Sequence, residues 1–266
     1  MANKTNRESG ETALKVLLFD VECFPNEGWT WGKWEQNVIE FKKVRMICSI
    51  AWQWYPSRET FVLALPDIPG YNPDKWTNVG LMQAFHKEIE KADVLIAHNL
   101  DKFDNKRVKT DMLKAGLKPL PKHKLLDTLK VLRSNFDFNS NGLAPVCEEL
   151  GIGSKVKHPG FPMWKGCMNG DMKSWRQMKR YNIGDVNRLL RPLYERVRPW
   201  MTNHPNMNAR AGIDPKGHCP TCRSGKLRRN GSNANRWGTT LRWRCQNKPC
   251  GASFPGVFTK GGWRMG

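Results

Sequence analysis

Two carboxylates stand one residue apart at the end of an apolar run, in Phe19-Asp20-Val21-Glu22-Cys23. Successive side chains of a strand alternate faces, so Asp20 and Glu22 point the same way. Carboxylates this close repel each other unless a cation lies between them, and an all-oxygen donor set suits Mg²⁺ or Mn²⁺. Taken alone, the pair reads first as a solvated strand end. A second segment, Ala97-His98-Asn99-Leu100-Asp101-Lys102-Phe103-Asp104, again leaves an apolar run and opens a helix. Asp104 is expected in the first turn of that helix, anchored by Phe103. Asp101 is a rival carboxylate that suits a helix cap, His98 suits a hydrogen-bonded structural role, and Asn99 suits the positioning of backbone or substrate. The third segment is Tyr181-Asn182-Ile183-Gly184-Asp185-Val186. Residues four apart share a helix face, so Tyr181 and Asp185 stand one turn apart at the edge of an apolar stripe. A carboxylate there is costly without compensation; a bound cation supplies it, as does a basic partner such as Lys179 or Arg180.

Further along, Cys219-Pro220-Thr221-Cys222 and Cys245-x4-Cys250 are separated by 22 residues. Two knuckles of paired cysteines match a tetrahedral structural zinc site, with one Zn²⁺ expected. So small a region buries little core, and metal binding supplies its folding energy. Around the knuckles Arg228, Arg229, Arg236, Trp237, Arg242, Trp243 and Arg244 interleave cations with aromatics. That mixture fits backbone contacts plus stacking on exposed bases; for any single tryptophan a miniature core under a solvated arginine face fits equally, whereas the arginine set favours nucleic acid.

The order and spacing of the first three segments, Asp20/Glu22, then Asn99-x3-Phe103-Asp104, then Tyr181-x3-Asp185, resembles the DEDD exonucleases. The tyrosine four residues before the last aspartate is similar to the DEDDy branch, which includes polymerase proofreading domains; the histidine branch would place His where Arg180 stands. The resemblance covers roughly residues 14–200 and implies a ribonuclease H-like α/β fold, a mixed sheet flanked by helices. It implies two divalent metals, Mg²⁺ or Mn²⁺, about 4 Å apart, with Asp20 bridging them. Glu22 and Asp185 would complete one metal site, and Asp104 would act through water on the other. Tyr181 would orient the attacking water, and the product would be a 5′-mononucleotide released from a 3′ end. No polymerase domain accompanies these motifs, which resembles the stand-alone enzymes of phages and bacteria. The cysteine pattern, with Arg242-Trp243-Arg244-Cys245 and Cys250-Gly251-x2-Phe254, is similar to the zinc ribbons of transposase-like proteins.

The elements that must position these residues follow from hydrophobic periodicity. Val16–Phe19, Val44–Trp54, Phe61–Leu65 and Val94–Ala97 read as strands. Residues 77–91 read as a helix, with Val79, Met82, Phe85 and Ile89 at helical spacing. Further helices are expected at about 102–115, at 143–150 with Gly151 as a stop, and continuously from about Lys173 to Trp200. Strands alternating with helices in this way indicate a mixed α/β sheet. The expected organisation is a disordered lead-in over 1–13, a catalytic domain over 14–200, an Asn- and Pro-rich linker over 201–215, a ribbon over 216–258 and a tail over 259–266. Asp127 reads as structural.

The chain carries 44 Lys and Arg against 24 Asp and Glu, a formal charge of +20. From residue 206 onward twelve basic residues face one acid, Asp214. An imbalance of this kind points to a polyanion, most commonly nucleic acid; the resemblance to the DEDD exonucleases implies a single strand, with DNA ahead of RNA. The polar N-terminus lacks a secretory core and no run approaches the roughly 18 apolar residues of a membrane span, so a cytoplasmic, reducing setting without a membrane is expected. A replication or repair protein partner is the natural company for such an enzyme. Rival expectations are a structure-selective endonuclease of the same fold and a non-catalytic nucleic-acid-binding protein.

Overall fold

A strand that is apolar on both faces needs a covering layer on each side. In the computed structural model, which describes residues 14–34, 37–201, 204–206, 217–235, 238–259 and 262–264, this is what surrounds Val16–Phe19. These residues open β1 (Val16–Cys23), all four buried. A short hairpin follows, β2 (Glu27–Trp29) and β3 (Glu40–Lys43), then β4 (Ile47–Tyr55) and β5 (Thr60–Ala64). Next come α1 (Val79–Ile89), β6 (Val94–Ala97), α2 (Asp104–Lys114), β7 (Lys124–Asp127) and α3 (Thr128–Asn135). The order continues with α4 (Leu143–Glu149), α5 (Phe161–Met168), α6 (Met172–Gly184), a π-helical segment Asp185–Leu190 and α7 (Arg191–Val197). Two compact units divide the chain, one being Lys15–Tyr194 and the other containing Glu195–Gly266.

The first unit is built on a five-stranded sheet in the order β5-β4-β1-β6-β7. β4 runs antiparallel to β1 and β5 to β4, whereas β6 is parallel to β1 and β7 to β6. Parallel neighbours cannot be joined by a hairpin, so helices cross over the sheet faces between them. On one face α1 buries Leu81, Met82, Phe85 and Ile89. The Phe85 ring meets Phe19 at 5.7 Å and Trp52 at 5.8 Å. Burying such a side chain contributes about 1.5–3 kcal/mol. α6 is fixed at its start by Asp171, whose carboxylate accepts from the N–H groups of Lys173 and Ser174. Further along, α6 docks through fully buried Trp175, whose indole N–H donates to the Tyr71 hydroxyl at 3.1 Å and whose ring packs on Phe24.

The structure differs from the sequence reading in several places. The expected single helix to Trp200 is interrupted: one turn widens into a π-helix at Asp185, and the helical path resumes at Arg191. π segments of this kind occur frequently at functional sites. Val44 is half-exposed and the strand begins only at Ile47. Four elements too short or too polar to show a period, β7, α3, α5 and the β2–β3 hairpin, complete the unit. Among the described residues no helix is long and apolar enough to cross a membrane.

The second unit is an antiparallel sheet ordered β11-β10-β9-β8, where β8 is Leu227–Asn235, β9 Gly238–Cys245, β10 Ser253–Thr259 and β11 Gly262–Arg264. Within the stretch expected as a tail, Thr259 and Gly262–Arg264 are sheet, β11 pairing with the end of β10. The lead-in 1–13, most of the expected linker, and Arg236 and Trp237 lie outside the described residues.

Candidate active site

β1 carries Asp20 and Glu22 to its C-terminal end. Asp185 arrives from the junction of α6 and the π segment, and one oxygen from each of the three carboxylates lies within 4.8 Å of the others. Asp104 opens α2 and is buried. It stands outside that close trio, yet its charge is the strongest of those acting on Asp20. The four carboxylates singled out in the sequence thus converge, three tightly and the fourth alongside.

The electrostatics follow from burial and crowding. Asp20 is held well above the ordinary carboxylate range by desolvation first, then by Asp104, Glu22 and Asp185, with Lys155 opposing. Glu22 is pushed up to about 8, again by desolvation first and the Asp185 charge second. Desolvation raises Asp104 to about 7, although the backbone amides of Asp104 and Val21 work against it. One oxygen of Asp104 and one of Asp185 are buried without a hydrogen-bond partner. Crowded, desolvated carboxylates with orphaned oxygens are what a hard divalent cation compensates, so these side chains fit such an ion.

Three positioning groups escaped the sequence reading. Asn182, fully buried, donates its amide to Asp20 at 2.8 Å and accepts from the Ser49 hydroxyl at 2.9 Å. Ser49 sits on β4 directly opposite Glu22. The partner of Asp185 is Lys155, from the loop after α4: its ammonium donates to Asp185 at 2.8 Å and to the Tyr181 oxygen at 2.6 Å. The expected partners are elsewhere or uninvolved; Lys179 binds Asp67 at 2.8 Å. Burial alone would lower Lys155, but Asp185 and Tyr181 outweigh it and the pKa rises. Tyr181 is pushed up to about 12 by desolvation and then by Asp185, so it remains a phenol. His158 at 4.6 Å and Trp164 at 6.0 Å meet the Tyr181 ring edge-on and fix it.

Gly184 lets the Lys155 loop approach. A methyl group there would meet Val156 Cγ2 at 2.7 Å. Lys155, Trp164, Phe103 and Leu143 line an open cavity of ≈ 320 Å³ whose floor is Asp20, Glu22 and Asp185. Phe103 is half-buried under Arg107, whose guanidinium lies 5.5 Å from its ring centroid. Asn99 adopts a left-handed conformation, φ 67°, with its N–H bound by Asp127 at 2.9 Å. Asp127 also accepts from Leu129 N–H and caps α3. Asp101 does not cap α2, whose cap position is Phe103; it pairs with Lys130. Both ring nitrogens of His98 are bound at 2.9 Å, to Thr128 and the Asn141 carbonyl.

In the second unit Cys219, Cys222, Cys245 and Cys250 bring their sulfurs within 4.8 Å of one another. Each knuckle closes on a left-handed residue just after its second cysteine, Arg223 at φ 64° and Gly251 at φ 60°. The arrangement is compatible with a zinc ribbon. Trp243 is half-buried against the cysteine cluster beside Phe254, which favours the miniature-core reading for that residue. Arg242 is exposed. Arg228 and Arg244 are exposed and directly opposite each other on β8 and β9, where like charges are destabilising. With Arg229 and Lys248 they line a cleft of ≈ 530 Å³.

The strand order, the mixed pairing and the flanking helices define a ribonuclease H-like α/β fold carrying an acidic site at the end of its central strand. Residues 70–161, about a third of the chain, match the family model RNase_T, described as Exonuclease; that stretch holds Asp104 and Lys155. No curated protein matches the chain. Among solved structures, the family B DNA polymerase of the hyperthermophilic archaeon Pyrobaculum calidifontis is similar over 71% of this chain, with 16% identity and a TM-score of 0.50. The chain spans 25% of that polymerase, and at this identity the likeness concerns the fold. The exonuclease model and the acidic site together support a nuclease.

Proposed function

We propose that the protein is a metal-dependent 3′→5′ exonuclease that removes 5′-mononucleotides from single-stranded nucleic acid, DNA in preference to RNA. The observation that carries this reading is the convergence of Asp20, Glu22 and Asp185 within 4.8 Å beside buried Asp104, with oxygens of Asp104 and Asp185 left unpartnered. Asp20, Glu22 and Asp185 would hold one divalent cation, Mg²⁺ or Mn²⁺, and Asp20 with Asp104 a second. Bound there, such ions supply a water of lowered pKa and positive charge opposite the phosphate oxygens.

The chain's own residues do the rest. Asn182 and Ser49 hold Asp20 in one rotamer. The Lys155 ammonium donates to the Tyr181 oxygen, which leaves the Tyr181 hydroxyl proton free to orient an attacking water. Lys155 also lines the cavity, where its charge would oppose the negative charge that develops on a bound phosphate. Phe103 and Trp164 flank the cavity and suit a terminal sugar and base. The catalytic domain is assigned to 14–200 and the zinc ribbon to 216–258, joined by a linker over 201–215. The paired arginines of the ribbon, Arg228 and Arg244 with Arg229, suit strand phosphates; Asn99, Arg242, Arg236 and Trp237 are assigned to the same nucleic-acid-binding role. A replication or repair setting fits the family of the similar polymerase.

The test is a strand labelled at its 3′ end, incubated with Mg²⁺. Labelled mononucleotide should appear first and nothing longer; labelled fragments of several nucleotides would mean an endonuclease, and an intact strand would mean a binding protein. Matched DNA and RNA strands in the same assay decide the sugar preference.

A further inference from the structure

Between Cys23 and Met46 the chain leaves the sheet as the β2–β3 hairpin, and this hairpin exposes aromatic surface that nothing in the acidic site uses. Trp31 is 88% exposed, Trp34 75% and Trp29 55%. Each exposed indole forgoes about 1.5–3 kcal/mol of burial, and three within six residues exceed the scattered apolar exposure of an ordinary surface. The indoles alternate with Thr30, Gly32 and Lys33 instead of forming one apolar face.

Cations accompany the rings. Lys42 lies 3.5 Å from the Trp29 ring centroid and Lys33 4.9 Å from that of Trp34. At the base of the hairpin the Arg45 N–H donates to the Asn26 side-chain oxygen at 2.6 Å. The described acids of the hairpin are Glu27, taken up by Lys43 at 3.6 Å, and Glu40, opposite Trp29. Aromatic rings interleaved with lysines match a single-stranded nucleic acid. Bases stack on the rings and phosphates meet the cations.

The position is close enough to serve the same strand. Phe24 N–H donates to the Met46 carbonyl at 2.9 Å, so the hairpin springs from the carboxylate end of β1. Trp31 lies nine and Trp34 twelve residues beyond Glu22, at most about 32 Å and about 43 Å of extended chain. That is at most about ten to thirteen nucleotides at a stacked rise of about 3.4 Å. Gly28 permits the tight pairing, since a methyl group there would meet the Glu40 carbonyl at 2.6 Å.

We infer that the β2–β3 hairpin is a second strand-binding surface, on which Trp31 and Trp34 stack unpaired bases several nucleotides upstream of the end held in the acidic site. This rests on the nuclease reading for the identity of its ligand, and its test is separable. Binding of a single strand of about sixteen nucleotides, longer than the separation estimated above, is measured with the full chain in EDTA. The same binding is measured for W31A/W34A. Loss of affinity of at least about tenfold is expected, with an unchanged melting temperature, and with Mg²⁺-dependent cleavage of a dinucleotide unchanged because it cannot span to the hairpin. W31Y/W34Y, which keeps stacking rings, should restore binding even should the alanine variant fold poorly. Equal affinity of native and W31A/W34A proteins for the long strand overturns the proposal while leaving the nuclease intact. So does a defect that appears only on phospholipid vesicles or in self-association. Absence of cleavage by the native protein overturns the nuclease reading alone, since strand binding in EDTA still reports on the hairpin.

Discussion

Asp185 has two claims upon it, a lysine ammonium at 2.8 Å and, for its unpartnered oxygen, the cation proposed above. D185N or D20A should therefore lower the turnover number by at least about a hundredfold, as loss of a group that stabilises developing charge does. Strand affinity should stay within a few fold, which a paired measurement of binding and single-turnover hydrolysis checks. K155A leaves Asp185 buried and uncompensated and frees Tyr181. The expected result is at least a tenfold drop in turnover with KM little changed, and Y181F should add little on top because the two act as one unit. pH dependence follows from Glu22, raised from 4.5 to about 8. A carboxyl whose folded-state pKa lies above its unfolded value supports folding at low pH and loses that contribution as pH rises towards about 8. A divalent ion replaces what ionisation removes, so the rise in Tm produced by Mn²⁺ should be larger at about pH 8 than at about pH 5. Equal shifts in chelator-controlled melts would contradict the electrostatic account.

At the scale of elements, the site depends on how closely the Lys155 loop lies on α6. Gly184 sets that distance, because any side chain meets Val156 at 2.7 Å. Valine has one rotatable torsion with which to move away, so G184A should displace Val156 and with it Lys155. Turnover should fall several fold with stability reduced by about 1–3 kcal/mol, the usual cost of overpacking, readable in parallel by kinetics and denaturant melts. Of the elements, β1, β4, β5, β6, α1 and α2 are legible in the sequence because each carries enough apolar residues to show its period. β7 offers only Leu125 and Leu126 as apolar residues and α3 only Leu129, Val131 and Leu132, too few to display one. The hairpin is hidden because its strands are exposed and carry no apolar alternation. The π segment is invisible for a different reason: its residues are as apolar as an α-helix would require, and only the packing around Asp185 widens the turn.

For the whole molecule the dominant quantity is the charge of +20. Single-strand affinity should fall steeply with salt, and R228A/R229A/R244A should reduce the slope of log K against log salt by about 0.7 for each phosphate that the variant no longer neutralises. An unchanged slope would remove the arginine cleft from the binding surface. One zinc per chain is expected by metal analysis, and its removal should melt the region around Cys219–Cys250, as metal supplies the folding energy of so small a core.

The order of amino acids alone specifies which residue types could do the chemistry, since Asp20 and Glu22 share a strand and Tyr181 and Asp185 stand four residues apart on one helical path, so that local periodicity is enough to put each pair on one face. It also makes the alternation of strands and helices and the cysteine knuckles legible. How the pairs are held is settled only in the folded chain. Asn182 reaches Asp20 across 162 residues and Ser49 reaches Asn182 across 133, and Lys155 comes from an irregular loop with no period at all. Such contacts arise from the crossing of a helix over a sheet, a relation between distant segments that no local pattern of side chains encodes.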